Sequence, residues 1–374
     1  MKNNWQTKKL GEIIVENRKS IIKSKGNKEG IFPFFVSGFN VKKIDKYLID
    51  DKNIFLPTGG NFFVHYFDGK ASYSTDTWSI KTREDVNIKY LYYFLILNQD
   101  FISKKLFKGA TIKHLQKNYF KDIVIFIPPI SEQLRIIKIL DEVFDKAIKI
   151  KINAEKNLQN SKDLFESYLQ NIFVNKGNDW EKKTLKEISL EFGRGKSKHR
   201  PRNDKKLYDG QYPFIQTGDI RNCNHYITEY SQTYNEKGLD QSKLWPKGTI
   251  CITIAANIAE TGILNFDACF PDSVIGLVVN DKIANQVFVE YLLQFYKTYI
   301  QTKGKGSAQA NINMGTFEHE RFLIPSLSEQ KLIVSKLDKL SIETKKLEET
   351  YKRKLADLEE LKKSILKKAF NGEL

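Results

Sequence analysis

The residues best suited to chemistry in this 374-residue chain are cations, set close together and interleaved with glycine. Gly193-Arg194-Gly195-Lys196-Ser197-Lys198-His199-Arg200-Pro201-Arg202 is followed by Lys205 and Lys206, with Asp204 as the one acid among them. Guanidinium and ammonium groups on a loop whose glycines let the backbone approach a phosphate make an electrostatic clamp for a polyanion. A solvated loop of the same composition is the alternative. Gly195-Lys196-Ser197 imitates part of a nucleotide phosphate loop, but the glycine required five positions earlier is Leu190, so a nucleotide site is not expected there.

Side chains that pair with base edges form a second class: arginine or lysine for guanine, asparagine or glutamine for adenine. Thr58 and Asn61, in Thr58-Gly59-Gly60-Asn61, and Gln216, Asn257 and Gln309 further along are candidates for base contact. Each taken singly is ordinary for a loop. Lys108 and Lys113 stand in Lys108-Gly109-Ala110-Thr111-Ile112-Lys113, and Lys303 and Lys305 in the matching Lys303-Gly304-Lys305-Gly306-Ser307. Their recurrence at equivalent places marks them as candidate phosphate contacts. The aromatic runs Phe32–Phe35 and Phe62–Tyr66 could stack on unpaired bases, although core packing is the simpler account of them.

Catalytic sets are not expected. His65, His114, His199, His225 and His319 are scattered without triad or metal spacing, and Asp76, Asp219, Asp267 and Asp272 have no partner that spacing identifies. Cys223, Cys251 and Cys269 lack any C-x-x-C arrangement and read as small buried hydrophobes. Net charge is +16, which suits a polyanionic partner without proving one. A hydrophobic content of 41% excludes wholesale disorder. No apolar run is long enough to span a membrane and no signal peptide is evident, so a reduced, cytoplasmic protein is expected.

The elements that must position these residues occur twice. Pro128-Pro129-Ile130-Ser131-Glu132-Gln133 returns as Pro325-Ser326-Leu327-Ser328-Glu329-Gln330, 197 positions later. Proline forces extended backbone, Ser131 or Ser328 offers a hydroxyl as helix N-cap, and glutamate meets the positive end of the dipole. Beyond each copy neither proline nor glycine appears until Gly177 and Gly372, the expected C-terminal stops. At the same offset Leu140, Val143, Ala147, Ile150, Ala154, Leu158, Leu164 and Tyr168 meet Leu337, Leu340, Thr344, Leu347, Tyr351, Leu355, Leu361 and Ile365, stepping by threes and fours as a helix seam does. Trp5…Leu10-Gly11-Glu12-Ile13 matches Trp180…Leu185-Lys186-Glu187-Ile188 at an offset of only 175, so the second copy carries insertions before its helix.

The expected fold class is α+β. Two α/β domains, 1–130 and 178–327, are related by a pseudo-two-fold axis and separated by two long antiparallel coiled-coil helices, 131–177 and 328–374. Strands are expected at Ile31–Val36, Asn53–Leu56, Phe62–Tyr66 and Ile123–Ile127, with a helix over Ile88–Leu106. Each helix exposes a stripe longer than its own domain can cover, and the economical solution is that each covers the other. Two basic heads held apart by a spacer could touch two tracts on one duplex, where same-face sites recur at about 34–36 Å.

The doubled junction motif, Trp5…Ile13, Pro213-Phe214-Ile215-Gln216-Thr217-Gly218-Asp219-Ile220 and the terminal Leu366-Lys-Lys-Ala369-Phe370 together resemble the specificity subunit of type I restriction-modification systems, over essentially the whole chain. The resemblance implies a non-catalytic subunit with two target-recognition domains, each reading half of a bipartite double-stranded DNA sequence. It implies docking of two modification subunits that use S-adenosylmethionine, and of restriction subunits that use ATP and Mg. No cofactor or metal is expected on this chain, consistent with its lack of an Asn-Pro-Pro-aromatic motif or a glycine-rich cofactor loop. Recognition residues vary within such a family, so none carries over by position. The first domain departs from the pattern, with Phe32–Asn40 where the second has Gly-Asp-Ile. A related restriction or methyltransferase assembly, and a coiled-coil scaffold that binds only protein, are the alternatives.

Overall fold

A buried glutamine locks the start of each long helix to the head beside it, and this explains much of the repeat. The computed structural model describes residues 4–25, 30–177, 179–255, 258–304 and 314–374. Its principal helices are α1 (Ile88–Leu97), α2 (Ile130–Val174), α3 (Gln286–Gly304) and α4 (Leu327–Phe370). The chain divides into two compact units, residues 1–157 with 351–374, and residues 158–350. Both long helices therefore contribute to both units.

In the first unit Gln133 Nε2 donates to the carbonyls of Pro128 (2.9 Å) and Asp85 (3.0 Å), while its Oε1 accepts from Asn87 N at 2.7 Å. In the second, Gln330 Nε2 donates to Pro325 O (2.8 Å) and Ile283 O (3.3 Å), and its Oε1 accepts from Asn285 N at 2.7 Å. Asn87 and Asn285 in turn cap α1 and α3, accepting from Lys89 N (2.9 Å) and Phe288 N (3.0 Å). A second tie follows about two turns later along each long helix: Tyr93 Oη donates to Asp141, and Tyr291 Oη to Asp338 at 2.7 Å. Both glutamines are fully buried, and a buried amide is tolerated only when its donors and acceptor are all paired.

The helix caps depart from expectation. Ser131 and Ser328 lie inside the helices. Gln133 N and Glu132 N donate to Pro129 O, and Gln330 N donates to Ser326 O, so each helix begins two residues earlier than the serines suggest. Ser326 Oγ accepts from Glu329 N and supplies the side-chain cap in the second copy; Pro129, its counterpart, has no side chain that could. Gly372 does end α4, at φ +74°. Glu373 N donates to Lys368 O and Gly372 N to Ala369 O, the paired bonds of a Schellman turn. Gly177 instead lies three residues past the last residue of α2, where a Cβ would stand 3.1 Å from Trp180 Nε1.

The seam is also narrower than the sequence pattern. Leu140, Ala147, Ala154, Leu337 and Thr344 are buried, but Ile150 and Leu164 are 39% and 49% exposed, and their counterparts Leu347 and Leu361 are 42% and 50% exposed. A straight helix advances 3.6 residues per turn, so a pattern of period 3.5 drifts off the packed face, and these four positions end on its flank. Nor do the helices cover one another unaided. In the first unit Ile136, Ile137 and Leu140 of α2 share a core with Leu366, Ala369 and Phe370 of α4, and Phe370 packs on Tyr90 and Phe94 of α1. The start of one helix thus lies with the end of the other, an antiparallel arrangement. In the second unit Phe173 of α2 packs on Phe288 and Phe295 of α3 and on Trp180, in a core shared with Ile333 and Leu337 of α4.

The first unit holds a six-stranded sheet in the order Ile14–Glu16, Thr77–Thr82, Ile49–Pro57, His65–Tyr73, Phe32–Phe35, Lys42–Ile44. Phe32–Phe35 runs parallel to His65–Tyr73 and the other neighbours are antiparallel. Side chains alternate across a strand, so Ile54 and Leu56 enter the main core while Phe55 stacks on Phe35 at 4.0 Å on the other face. Burial on both faces accounts for the unbroken apolar run there. Phe62–Val64 is buried but precedes the strand, and the expected helix over Ile88–Leu106 breaks at Asn98 and closes as a π-turn over Ile102–Leu106.

The larger strands of the second unit form two sheets. Ser189–Arg194, Val274–Val279, Ile250–Thr253, Thr261–Leu264 and Tyr226–Ile227 form one; Gln232–Tyr234, Tyr208–Phe214, Ala268–Cys269 and Leu244–Trp245 form the other. In both units the opening strand returns to the strand that leads into the long helix, Gln6–Lys9 against Val124–Ile127 and Glu181–Lys183 against Phe322–Ile324.

Candidate nucleic-acid interface

In the first unit the structure gathers the candidates Thr58, Asn61, Lys108 and Lys113 into one loop cluster. Gly59 forms an antiparallel bridge with His114, Gly60 N donates to Lys113 O (2.9 Å), and Leu115 N donates to Thr58 O (3.0 Å). Thr58 is committed inward: its N and Oγ1 both donate to Asp76 O, at 3.0 and 2.8 Å. Asn61, Lys108 and Lys113 are exposed. Two glycines make the turns possible. Gly60 has φ +84°, and Gly109, at φ +150°, would place a Cβ 2.2 Å from Ile112 O. Lys108 Nζ lies 5.2 Å from the Tyr119 ring, a cation–π contact that restrains it at the surface.

Phe39 stands 75% exposed, its ring nearly perpendicular to that of Phe63 at 6.0 Å. His65 packs against Phe63 at 5.0 Å, and burial pushes its imidazole below the ordinary value of 6.5, against a smaller opposing effect from the Phe39 backbone. It is therefore neutral at neutral pH and adds no cation to this face. The aromatic runs are core: Phe34, Phe35, Phe62 and Phe63 are buried.

In the second unit the basic run is a folded loop. Arg194 Nε donates to Asp272 O at 2.8 Å, and Arg202 Nη2 reaches both carboxylate oxygens of Asp272 at 2.7 and 2.8 Å. Arg200 Nη1 donates to the carbonyls of Ser197 (2.6 Å) and His199 (2.8 Å). The hydrogen bond from Lys206 N, and then that from His199, hold the Asp204 carboxyl below its usual 3.8. Gly195 is buried where a Cβ would stand 2.3 Å from Phe270 O. The arginines thus hold the loop's shape, while Lys196, Lys198, Lys205 and Lys206 are exposed along it.

That loop forms one wall of a cleft of about 530 Å³, which Arg202, Lys205, Tyr208, Gln216, Gln232 and Tyr234 also line. Gln216 follows the strand Tyr208–Phe214, and its backbone N donates to Asp219 Oδ2 at 2.8 Å, which fixes the Gln-Thr-Gly-Asp turn. The first unit bends through Val36–Asn40 without such a helix, in line with the departure seen in its sequence. Gln232, which sequence reading missed, is tied to Gln216; its signal would have been pairing to a strand 16 residues away, which is not visible in one sequence.

Asn257, Lys305 and Gln309, with Gly306 and Ser307, lie outside the described residues. Lys303 falls in the last turn of α3. A polar cluster that sequence also missed sits elsewhere in the unit: fully buried Glu290 accepts from Thr261 Oγ1 (2.8 Å) and Gln294 Nε2 (2.6 Å) and contacts His225 Nδ1 (2.7 Å). All three cysteines are free thiols, and burial raises Cys223 to about 11 and Cys251 well above the ordinary value. Cys251 and Cys269 are buried as small apolar fillers, whereas Cys223 is half-buried. Among the described residues no cluster of histidine, cysteine and carboxylates could hold a metal, and no helix is long and apolar enough to cross a membrane.

The repeated architecture has a counterpart among known proteins. The family model for the type I restriction modification DNA specificity domain matches residues 2–159 and again residues 177–357. The chain belongs to this family. The two matches begin near Trp5 and Trp180, as the internal repeat does. The EcoDI specificity subunit of Escherichia coli is 24% identical, across 99% of this chain and 89% of its own length. The MjaVIII specificity subunit of Methanocaldococcus jannaschii is also 24% identical, across 99% and 93%. Among solved structures, a chain from work on assembly and conformational transition of the type I R-M system superposes with a TM-score of 0.78 at 18% identity, covering 100% of this chain and 99% of the other. The HsdS subunit of Thermoanaerobacter tengcongensis gives a TM-score of 0.61 at 20% identity, with 100% and 98% covered. These superpositions speak to the specificity fold.

Proposed function

We propose that this chain is the non-catalytic, double-stranded DNA recognition subunit of a type I restriction-modification complex. Its target-recognition domains, 1–130 and 178–327, each read one half of a bipartite site, and the helices 131–177 and 328–374 set the gap between the halves. The observation that carries this reading is the twofold match to a DNA specificity domain, each copy bearing a glycine-shaped loop cluster with exposed lysines. The protein works in the cytoplasm, where its DNA is.

Two modification subunits dock on the long helices. The support is that the repeat leaves the same apolar positions exposed in both copies, Ile150 with Leu347 and Leu164 with Leu361. Equivalent apolar flanks suit two copies of one partner. S-adenosylmethionine, ATP and Mg belong to the modification and restriction subunits.

Binding to random duplex DNA across a salt series, with and without a modification subunit, tests the reading. A DNA reader loses affinity steeply as salt rises, because phosphate contacts release condensed counterions. Absence of measurable affinity under every condition would instead favour a protein-only scaffold.

A further inference from the structure

The tie between Gln216 and Gln232 fixes a hydrogen-bonding pattern. Gln216 Nε2 donates to Gln232 Oε1, so each glutamine commits half of its amide to the other. The groups that take no part in that bond are the Gln216 carbonyl oxygen and the Gln232 NH₂ group. One such carbonyl and one such NH₂ group are left whichever way the two amides are turned, since a single bond between them always consumes one donor and one acceptor. The pair therefore presents an acceptor together with a donor. In the major groove adenine alone offers the complement on one base, an N6 amino donor beside the N7 acceptor.

We propose that Gln216 and Gln232 act as one unit that reads an adenine in the second specificity domain. Gln216 Oε1 accepts from N6 and Gln232 Nε2 donates to N7. The assignment rests on the reading of this domain as a DNA reader and goes beyond it by naming the base and the atoms.

Three further features support it. The pair is mounted beside paired strands: Gln232 opens the strand Gln232–Tyr234 and stands opposite Phe214, and Gln216 follows two residues later as the N-cap of Thr217–Asn222. Groups held by a sheet lose little freedom when they bind. Behind them Phe214 stacks on fully buried Tyr234 at 4.0 Å, so a packed aromatic pair backs the two strands. Exposed Lys205 lines the same cleft, so a cation suited to a phosphate lies beside the amides.

The test uses the full chain assembled with its modification subunit. Duplexes bound from a random library are sequenced for the unsubstituted chain, Gln216→Ala, Gln232→Ala and Gln232→Glu. Preference for adenine at one position of one half-site should fall roughly 5- to 150-fold in both alanine variants, the discrimination a paired contact supplies. The other half-site should be unchanged. Gln232→Glu keeps an acceptor for Gln216 Nε2 but replaces the free NH₂ with an acceptor, so the same position should shift from adenine toward cytosine, whose N4 donates. Melting midpoints equal to the unsubstituted chain confirm folding of these surface variants. A bipartite site that keeps every adenine preference in all three variants overturns the pair as reader while leaving the DNA-reading function intact. An unsubstituted complex that enriches no sequence overturns that function and the pair with it.

Discussion

Gln133 and Gln330 each satisfy three backbone groups from a fully buried position, and their loss leaves those groups unpaired. Gln133→Ala or Gln330→Ala should cost about 1–3 kcal/mol of stability, read from the shift in denaturation midpoint, whereas Ser131→Ala should cost little because that hydroxyl is no cap. At this scale the sequence was informative about where and less so about why. The doubled Ser-Glu-Gln motif announced itself, but its serines attract attention as caps, and the glutamine's work depends on Asp85, Asn87, Ile283 and Asn285, which lie more than 40 residues away. Likewise the basic run Arg194–Lys206 was visible as charge. That its arginines, though exposed, are tied to Asp272, Ser197 and His199 depends on tertiary contacts. The lysines of that loop carry the next prediction: replacing Lys196, Lys198, Lys205 and Lys206 with alanine should flatten the log–log salt dependence of DNA binding, by about 0.9 for each lost phosphate contact. An unaltered slope would return the loop to the solvated alternative.

The long helices were legible in their extent and register, because nothing else in a chain repeats proline, cap and glycine at such spacing. Their packing was not. The 3.5-residue pattern placed Ile150, Leu164, Leu347 and Leu361 in the seam, while the helices expose them. The ends of the seam are filled by the heads, through Phe370 on Tyr90 and Phe94 and through Phe173 on Phe288 and Phe295. Phe370→Ala should therefore cost about 3–5 kcal/mol, a core value rather than that of a frayed terminus, and urea denaturation measures it. If the helices set the gap between half-sites, removing the equivalent heptads 151–157 and 348–354 shortens each by about 10 Å. The tolerated gap should then contract by about three base pairs, at 3.4 Å per step. An unchanged gap in sequenced bound fragments would count against the separator role.

For the molecule as a whole, the internal repeat, the +16 charge and the paired family matches support the proposal that a duplicated domain reads two words on one duplex. The main strands of the second unit fall into two sheets where the first has a single six-stranded one, and Val36–Asn40 in the first is built differently, so the heads are unlike and the two words should differ. The most direct measurement is enrichment and sequencing of duplexes bound by the chain together with its modification subunit. The expected result is two short, dissimilar words separated by a fixed stretch of unselected bases. A single contiguous word, or one word repeated at variable spacing, would contradict it.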